Sequence, residues 1–120
     1  MDTFLSRQII ACALEVHHTL GVGFLESVYQ TALVHELRIV GLKAEMECKI
    51  DVFYKTQKVG IYYADILVED HFILEIKCAL KIINEHMFQV KNYLRSTGLR
   101  DALIFNFRPK TLEFRRVFPG

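Results

Sequence analysis

The chain is poor in cysteine: Cys12, Cys48 and Cys78 are odd in number, widely spaced and without a C-x-x-C pair. That pattern speaks against a disulfide framework and for buried thiols in a reducing compartment, so a cytoplasmic location is expected. It is also poor in net charge. Lys and Arg number 15 against 14 Asp and Glu, a balance of +1 that creates no global field toward nucleic acid or membrane. No apolar run approaches the length of a membrane span, and no signal-peptide pattern precedes the first helical pattern. Repeats, linkers and low-complexity segments are missing as well. The expectation is a single domain over residues 1–120, with 52% hydrophobic residues to fill one core.

The charge is unevenly laid out. Residues 1–90 carry eight Lys/Arg against twelve Asp/Glu, whereas residues 91–120 carry seven against two. The last quarter is therefore basic, and Arg95, Arg108, Lys110, Arg115 and Arg116 are candidates to contact phosphates. A solvated strand face that balances the acidic remainder reads the same residues equally well.

Hydrophobic spacing predicts the elements. Leu5, Ile9, Cys12, Ala13, Val16 and Leu20 mark a first helix over 4–20, capped by Asp2 or Thr3. His17 and His18 suit its C-terminal dipole, and as neighbours they cannot share one helical face to bind a metal. Gly21-Val22-Gly23 breaks the helix. A second begins at once, with Phe24, Leu25, Val28, Ala32, Leu33 and Leu37 as its core stripe, and ends at Gly41. Lys43–Tyr54 alternates as a strand, with Met46, Cys48, Ile50 and Val52 on one side and a solvated polar side opposite. After a turn at 55–58, Val59 starts the next strand. Asn84 caps a third helix that Gly98 stops, with Met87, Val90 and Leu94 toward the core. Ala102–Phe107 is apolar enough to be buried on both faces, and Leu112–Phe118 follows with Arg115 and Arg116 exposed. Helix, helix, three strands, helix, two strands gives an α/β sandwich, with a mixed sheet and a helix long enough for a parallel crossover.

The chemistry concentrates in Tyr62–Lys77, YYADILVEDHFILEIK, two apolar strands around a turn at Glu69, Asp70 and His71. A hairpin symmetric about Asp70 sets Val68 opposite Phe72 and Asp65 opposite Glu75, on one face with Lys77. Two carboxylates facing each other among Ile, Leu and Phe repel, and a divalent cation relieves the cost of burying them. A second reading leaves Asp65 at a strand end and pairs Glu75 with Lys77 in solvent. Glu26, in the first turn of the second helix, is stabilised by the free amides there and can also lean over an adjacent sheet. His86, Gln89 and Tyr93 form a polar-aromatic stripe on the third helix, in isolation no more than an edge of the core.

Asp65 followed by Glu75-Ile76-Lys77 resembles the D…E-x-K signature of the PD-(D/E)xK nuclease superfamily. Ala64 stands where that signature usually has proline. Gly23-Phe-Leu-Glu26-Ser-Val-Tyr29 is similar to the G-x-x-E-x-x-Y motif of the GxxExxY proteins within it. Gln89-Val-Lys-Asn-Tyr93 resembles the Q-x-x-x-Y motif of the exonuclease-like branch. The resemblance spans about residues 8 to 118. It implies a restriction-endonuclease-like core, a mixed five-stranded sheet flanked by helices. It also implies Mg²⁺ or Mn²⁺ held by Asp65, Glu75, the main-chain carbonyl of Ile76 and, through water, Glu26. Lys77 would then orient the attacking water or stabilise the phosphate's charge, while Gln89 and Tyr93 would position the phosphate or the metal-bound water. The implied activity is hydrolysis of phosphodiester bonds of nucleic acid, DNA ahead of RNA, to 5′-phosphate products. The alternative is a non-cleaving nucleic-acid-binding or assembly module on the same fold. So small an apolar-rich domain is also expected to pair as a homodimer, through its C-terminal edge strand or first helix.

Overall fold

The first forty residues bury one helical stripe each from two successive helices. In α1 (Thr3–Leu20) that stripe is Leu5, Ile9, Cys12, Ala13 and Val16; in α2 (Glu26–Ile39) it is Tyr29, Leu33, Val34 and Leu37. The computed structural model describes residues 3–119, so the expected cap Asp2 lies outside the described residues, and Thr3 is already helical. The second helix starts later than its apolar residues suggest. Phe24, Leu25 and Val28 are exposed, and Tyr29 takes the core position that the spacing assigned to Val28. The reason lies in the break before it. Gly23 has φ +106, a conformation side-chain-bearing residues rarely adopt, and Leu25 after it is still extended, so the helix starts only at Glu26.

Five strands follow, with spatial order equal to chain order: β1 (Ala44–Tyr54), β2 (Gln57–Val68), β3 (Phe72–Lys77), β4 (Asp101–Asn106) and β5 (Glu113–Val117). β1–β2, β2–β3 and β4–β5 are antiparallel, while β3–β4 is parallel. The parallel step is bridged by α3 (Asn84–Thr97). A parallel neighbour requires such a crossover, and the helix covers the sheet face it crosses. Asn84 is the first residue of α3 rather than its cap; Ile83 occupies that position, and its N–H donates to Nδ1 of His86 at 3.2 Å. At the other end Gly98, at φ +76, turns the chain out of the helix and donates its N–H to the Leu94 carbonyl at 3.0 Å.

The sheet separates two apolar clusters. Under α1 and α2 lie Ile66, Val68, Phe72, Leu74, Ile76, Leu103 and Phe105. Under α3 lie Ala64, Ile73, Ala102, Ile104 and Val117, with Val90 and Leu94 from the helix. β3 and β4, the central strands, are buried on both faces, as their short apolar runs require. The α/β architecture is the expected one, a mixed five-stranded sheet flanked by three helices. Among the described residues no helix is long and apolar enough to cross a membrane.

One local departure matters for the site. Ile66 packs under α1 and α2, but Ala64, two residues away on the same strand, packs under α3. Residues two apart share a face in a regular strand, so β2 changes face at Asp65. β1 does the same opposite it. Met46 Sδ accepts from the Thr31 hydroxyl of α2 at 3.9 Å, while Cys48 and Ile50 pack toward α3. The single-sided alternation expected for Met46, Cys48, Ile50 and Val52 is thereby corrected. The switch sits at Glu47, a non-glycine residue at φ 52, and the register puts Glu47 opposite Asp65.

Candidate active site

The turn is three residues long, and Glu69 and Asp70 both have positive φ. It is held from outside by Lys43: its ammonium meets Asp70 at 2.9 Å, and its N–H donates to the Glu69 carboxylate at 2.6 Å. Such a turn gives the symmetric register, with Val68 opposite Phe72, Leu67 opposite Ile73 and Ile66 opposite Leu74. Asp65 and Glu75 would come next, and there the ladder ends. The Oδ2 atom of Asp65 accepts the Ile76 N–H at 2.8 Å, so a side-chain carboxylate replaces the main-chain partner where the strands part.

Glu75 is 8% exposed, and its Oε1 has no hydrogen-bond partner. Burial pushes its pKa up to about 7, against the opposing charge of Lys77 and a hydrogen bond to the Asp65 main chain. Burial is also the leading cause of the raised pKa of Asp65, opposed by the Ile76 N–H and Lys77. This corrects the expectation that the two carboxylates chiefly repel each other. The anions that raise both pKa values are Glu47 and Glu26, and burial outweighs them.

Glu47 is exposed, as the alternation of β1 expects, yet it is also the acidic neighbour of Asp65. Gln30 of α2 donates through Nε2 to Glu47 Oε1 at 2.9 Å and to the Asp65 carbonyl at 2.8 Å, tying the two switched strands to one helix. Only the combination of an αL residue on β1 with the β1–β2 register reveals it, and neither is written in local spacing.

Glu26 opens α2, and its Oε2 accepts the Cys78 N–H at 3.1 Å, one residue past the end of β3. Tyr29, one turn on, makes that reach possible. Its hydroxyl donates to the Gly21 carbonyl at 2.6 Å and accepts the Phe24 N–H at 3.2 Å, while its ring stacks on Phe107 at 4.6 Å. The Gly…Glu…Tyr spacing thus works as a brace: the tyrosine fixes the loop, and the loop aims the glutamate at the sheet's edge. Lys77, on the same strand as Glu75, is half-buried.

On α3, Gln89 Nε2 donates to the Tyr93 hydroxyl at 3.3 Å, and the Tyr93 ring lies on Tyr62 with centroids 3.4 Å apart. Tyr62 precedes Asp65 by three residues, so this stack brings the helical stripe to the strand that carries the carboxylate. The Tyr62 hydroxyl is buried without a partner. No sequence signal marked Tyr62 beforehand.

The basic residues do not gather into one patch. Arg116, expected to be exposed, is instead half-buried. Its guanidinium meets Asp101 at 2.6 Å and lies over Phe72 at 4.9 Å and Phe118 at 5.3 Å. Arg115 pairs with Glu113 at 3.4 Å, and Arg95 donates to the Pro119 carbonyl at 2.9 Å. Lys110 lies in a hollow beside His17 and His18, away from the hairpin. The charge of Arg108 reaches Cys78 at the hairpin's end, where it only partly opposes the burial and the Glu26 carboxylate that raise the thiol's pKa.

Among the described residues no three His, Cys, Asp or Glu side chains gather closely enough to hold a metal by themselves. The acidic groups around Glu75 offer oxygen only, and one of its buried oxygens has no protein partner, which leaves it open to a cation, a proton or a water. Such a set fits a hard divalent ion that keeps several waters, bound by one or two carboxylates.

No match was found among curated proteins. Among solved structures, the crystal structure of SSO0001 is similar over 98% of this chain and 79% of that one, with 13% identity and a TM-score of 0.47. The family model of the PD-(D/E)XK nuclease superfamily matches residues 3–117. With the fold and the Asp65…Glu75-Ile76-Lys77 geometry in agreement, the chain belongs to the PD-(D/E)XK nuclease superfamily.

Proposed function

We propose that this chain, acting as one domain of the GxxExxY group, is a divalent-metal-dependent nuclease that cleaves DNA in preference to RNA and leaves 5′-phosphate ends. The observation that carries the reading is Glu75: a carboxylate buried at the end of a central strand, with one oxygen unpartnered. Purely structural carboxylates in so apolar a place are paired, because an unpaired one costs several kcal/mol. Asp65 and Glu75 would hold Mg²⁺ or Mn²⁺ together with the Ile76 carbonyl, and Glu26 through water. That ion supplies Lewis acidity toward the phosphate and its attacking water.

The chain's own groups do the rest. Lys77 sets a fixed positive charge beside the carboxylates, where it stabilises negative charge building on the phosphate and orients the incoming water. Gln89 and Tyr93 hold the phosphate from the α3 side. Glu26, braced by Tyr29, holds the Cys78 N–H and with it the chain just past Lys77. Exposed Phe4 and Leu14 on α1, and the free edge of β5, support the homodimer as a further part of the proposal.

The test is calorimetry with Mn²⁺ alongside cleavage of a panel of single- and double-stranded DNA and RNA. Asp65→Ala and Glu75→Ala are expected to lose metal binding and cleavage. Lys77→Ala is expected to keep the metal and lose turnover. Unchanged Mn²⁺ binding in Glu75→Ala sinks the site. Metal binding with no cleavage of any substrate hands the chain to the non-cleaving alternative.

A further inference from the structure

Past Asp65 the β1–β2 ribbon leaves the rest of the sheet. β2 pairs with β3 only at Ile66–Val68, so Gln57–Tyr63 pairs with β1 alone. At about 3.3 Å per residue, this arm runs roughly 20 Å beyond the candidate site. One side of it is covered, with Cys48, Ile50 and Tyr62 packed toward α3. The other side is open. There the register pairs Tyr63 with Lys49 and Ile61 with Asp51, and Phe53 lies one alternation further along β1. Phe53 and Tyr63 are each 52% exposed, too much for either to be core.

Charge selects the occupant. Residues 48–63 hold Lys49, Lys55 and Lys58 against the single acid Asp51. Lys58 takes Asp51 at 3.1 Å, which leaves Lys49 and Lys55 with no acidic partner among the described residues. The Lys55 ammonium lies 5.5 Å from the centroid of the Tyr54 ring. Unpaired cations interleaved with exposed ring faces match the phosphates and unstacked bases of a single strand. A duplex hides its bases, and an apolar protein partner has no use for the cations.

We propose that the open side of this arm binds a single-stranded stretch of nucleic acid and leads it to Asp65. Tyr63 and Phe53 stack on bases, and Lys49 and Lys55 meet phosphates. The destination rests on the nuclease reading of the neighbouring site, whereas the binding itself does not.

Fluorescence anisotropy of a labelled oligothymidylate in EDTA reads binding without cleavage. Y63S and F53S are each expected to weaken it about tenfold, within the range that loss of one base–aromatic stack produces. K49S is expected to lower the log–log salt slope by about 0.7. The chain contains no tryptophan. Y63W therefore adds a single indole that keeps the stacking face, and the strand is expected to quench its emission. Wild-type affinity in both serine variants, or an indole indifferent to the strand, overturns the proposal. So does indole emission that shifts to the blue with protein concentration alone, which marks the arm as a contact between copies. Mg²⁺-dependent cleavage, measured separately, keeps the two ideas apart. Arm-dependent binding without any cleavage supports the arm and removes the nuclease reading; cleavage with arm-independent binding does the reverse.

Discussion

At the start of β4, Asp101 is almost wholly buried and meets at 2.6 Å the Arg116 guanidinium, which lies over the rings of Phe72 and Phe118. Near the end of the neighbouring parallel strand β3, Glu75 is as deeply buried, yet one of its oxygens meets nothing. The same two strands thus carry at one end an ion pair that leaves only Arg116 Nε over. At the other they carry a carboxylate that has an Asp65 main-chain bond and the charge of Lys77 nearby but, among the described residues, no ion pair. In open α/β sheets, ligands gather beyond the carboxyl ends of parallel strands, where loops rather than strands decide what is placed. The Asp101 end serves stability. The Glu75 end gives stability away above the ordinary carboxylate range, because burial raises its pKa; on the proposed function, that is the cost of a carboxylate kept for a cation.

The largest effect should come from breaking the ion-paired end. Arg116→Ala leaves Asp101 buried and unpaired, and is expected to lower unfolding free energy by about 3 kcal/mol. Urea melts at neutral pH measure it; a loss within error of wild type would make the two ends alike after all.

The Glu75 end should respond with the opposite sign. The folded pKa of Glu75 is raised from 4.5 to about 7, so the folded protein binds the extra proton between those values. Stability therefore falls as pH climbs through 4.5 toward 7, and the loss is complete above that window. Glu75→Gln removes the charge, and at pH 8 in EDTA it is expected to stabilise the protein by about 1–3 kcal/mol. Near pH 4 the gain should vanish, because Glu75 is then protonated in both states. Mg²⁺ should stabilise wild type at pH 8, by about 1.4 kcal/mol at ten times its Kd, and leave Glu75→Gln unmoved. Destabilisation by Glu75→Gln at pH 8 would mean that the glutamate already has its partner.

The smallest change sharpens the contrast from a third buried group. Tyr29→Phe keeps the ring on Phe107 but drops the hydroxyl's two bonds, to Gly21 and Phe24, at a cost of about 1 kcal/mol. Because that loop aims Glu26, the variant should lose more in Mn²⁺ affinity than a distant change of equal stability cost. Equal affinity would reduce the tyrosine to a packing residue.

Element type and order could be read along the chain because they follow from local periodicity. Leu5, Ile9, Cys12 and Val16 recur at the helical period, β3 and β4 each hold a short apolar run (Phe72–Leu74 and Ala102–Phe105), and Gly98 ends α3 where expected. The hairpin register from Val68 opposite Phe72 out to Ile66 opposite Leu74 was legible for the same reason, since a three-residue turn leaves one symmetric pairing. That it would end there, with the Asp65 carboxylate on the Ile76 N–H, was not. Phe24 and Leu25 were misread because periodicity cannot distinguish a core stripe from an apolar loop beside it, and Val28 because it is helical but on the exposed side of α2. Arg116 was misread because its partner Asp101 lies 15 positions away.

The sequence by itself determined which residues are candidates for the chemistry: two carboxylates and a lysine at hairpin spacing, a glutamate at a helix start, a glutamine and a tyrosine one turn apart. Only the tertiary structure decided their states. Burial, rather than mutual repulsion, raised the pKa of Glu75, and burial is a sum over neighbours brought in from β4 and α3. The turn of Glu47 toward Asp65, the face change of both strands and the Tyr62–Tyr93 stack arise the same way. Each depends on what lies opposite in space, and periodicity along a chain carries information only about the chain's own faces.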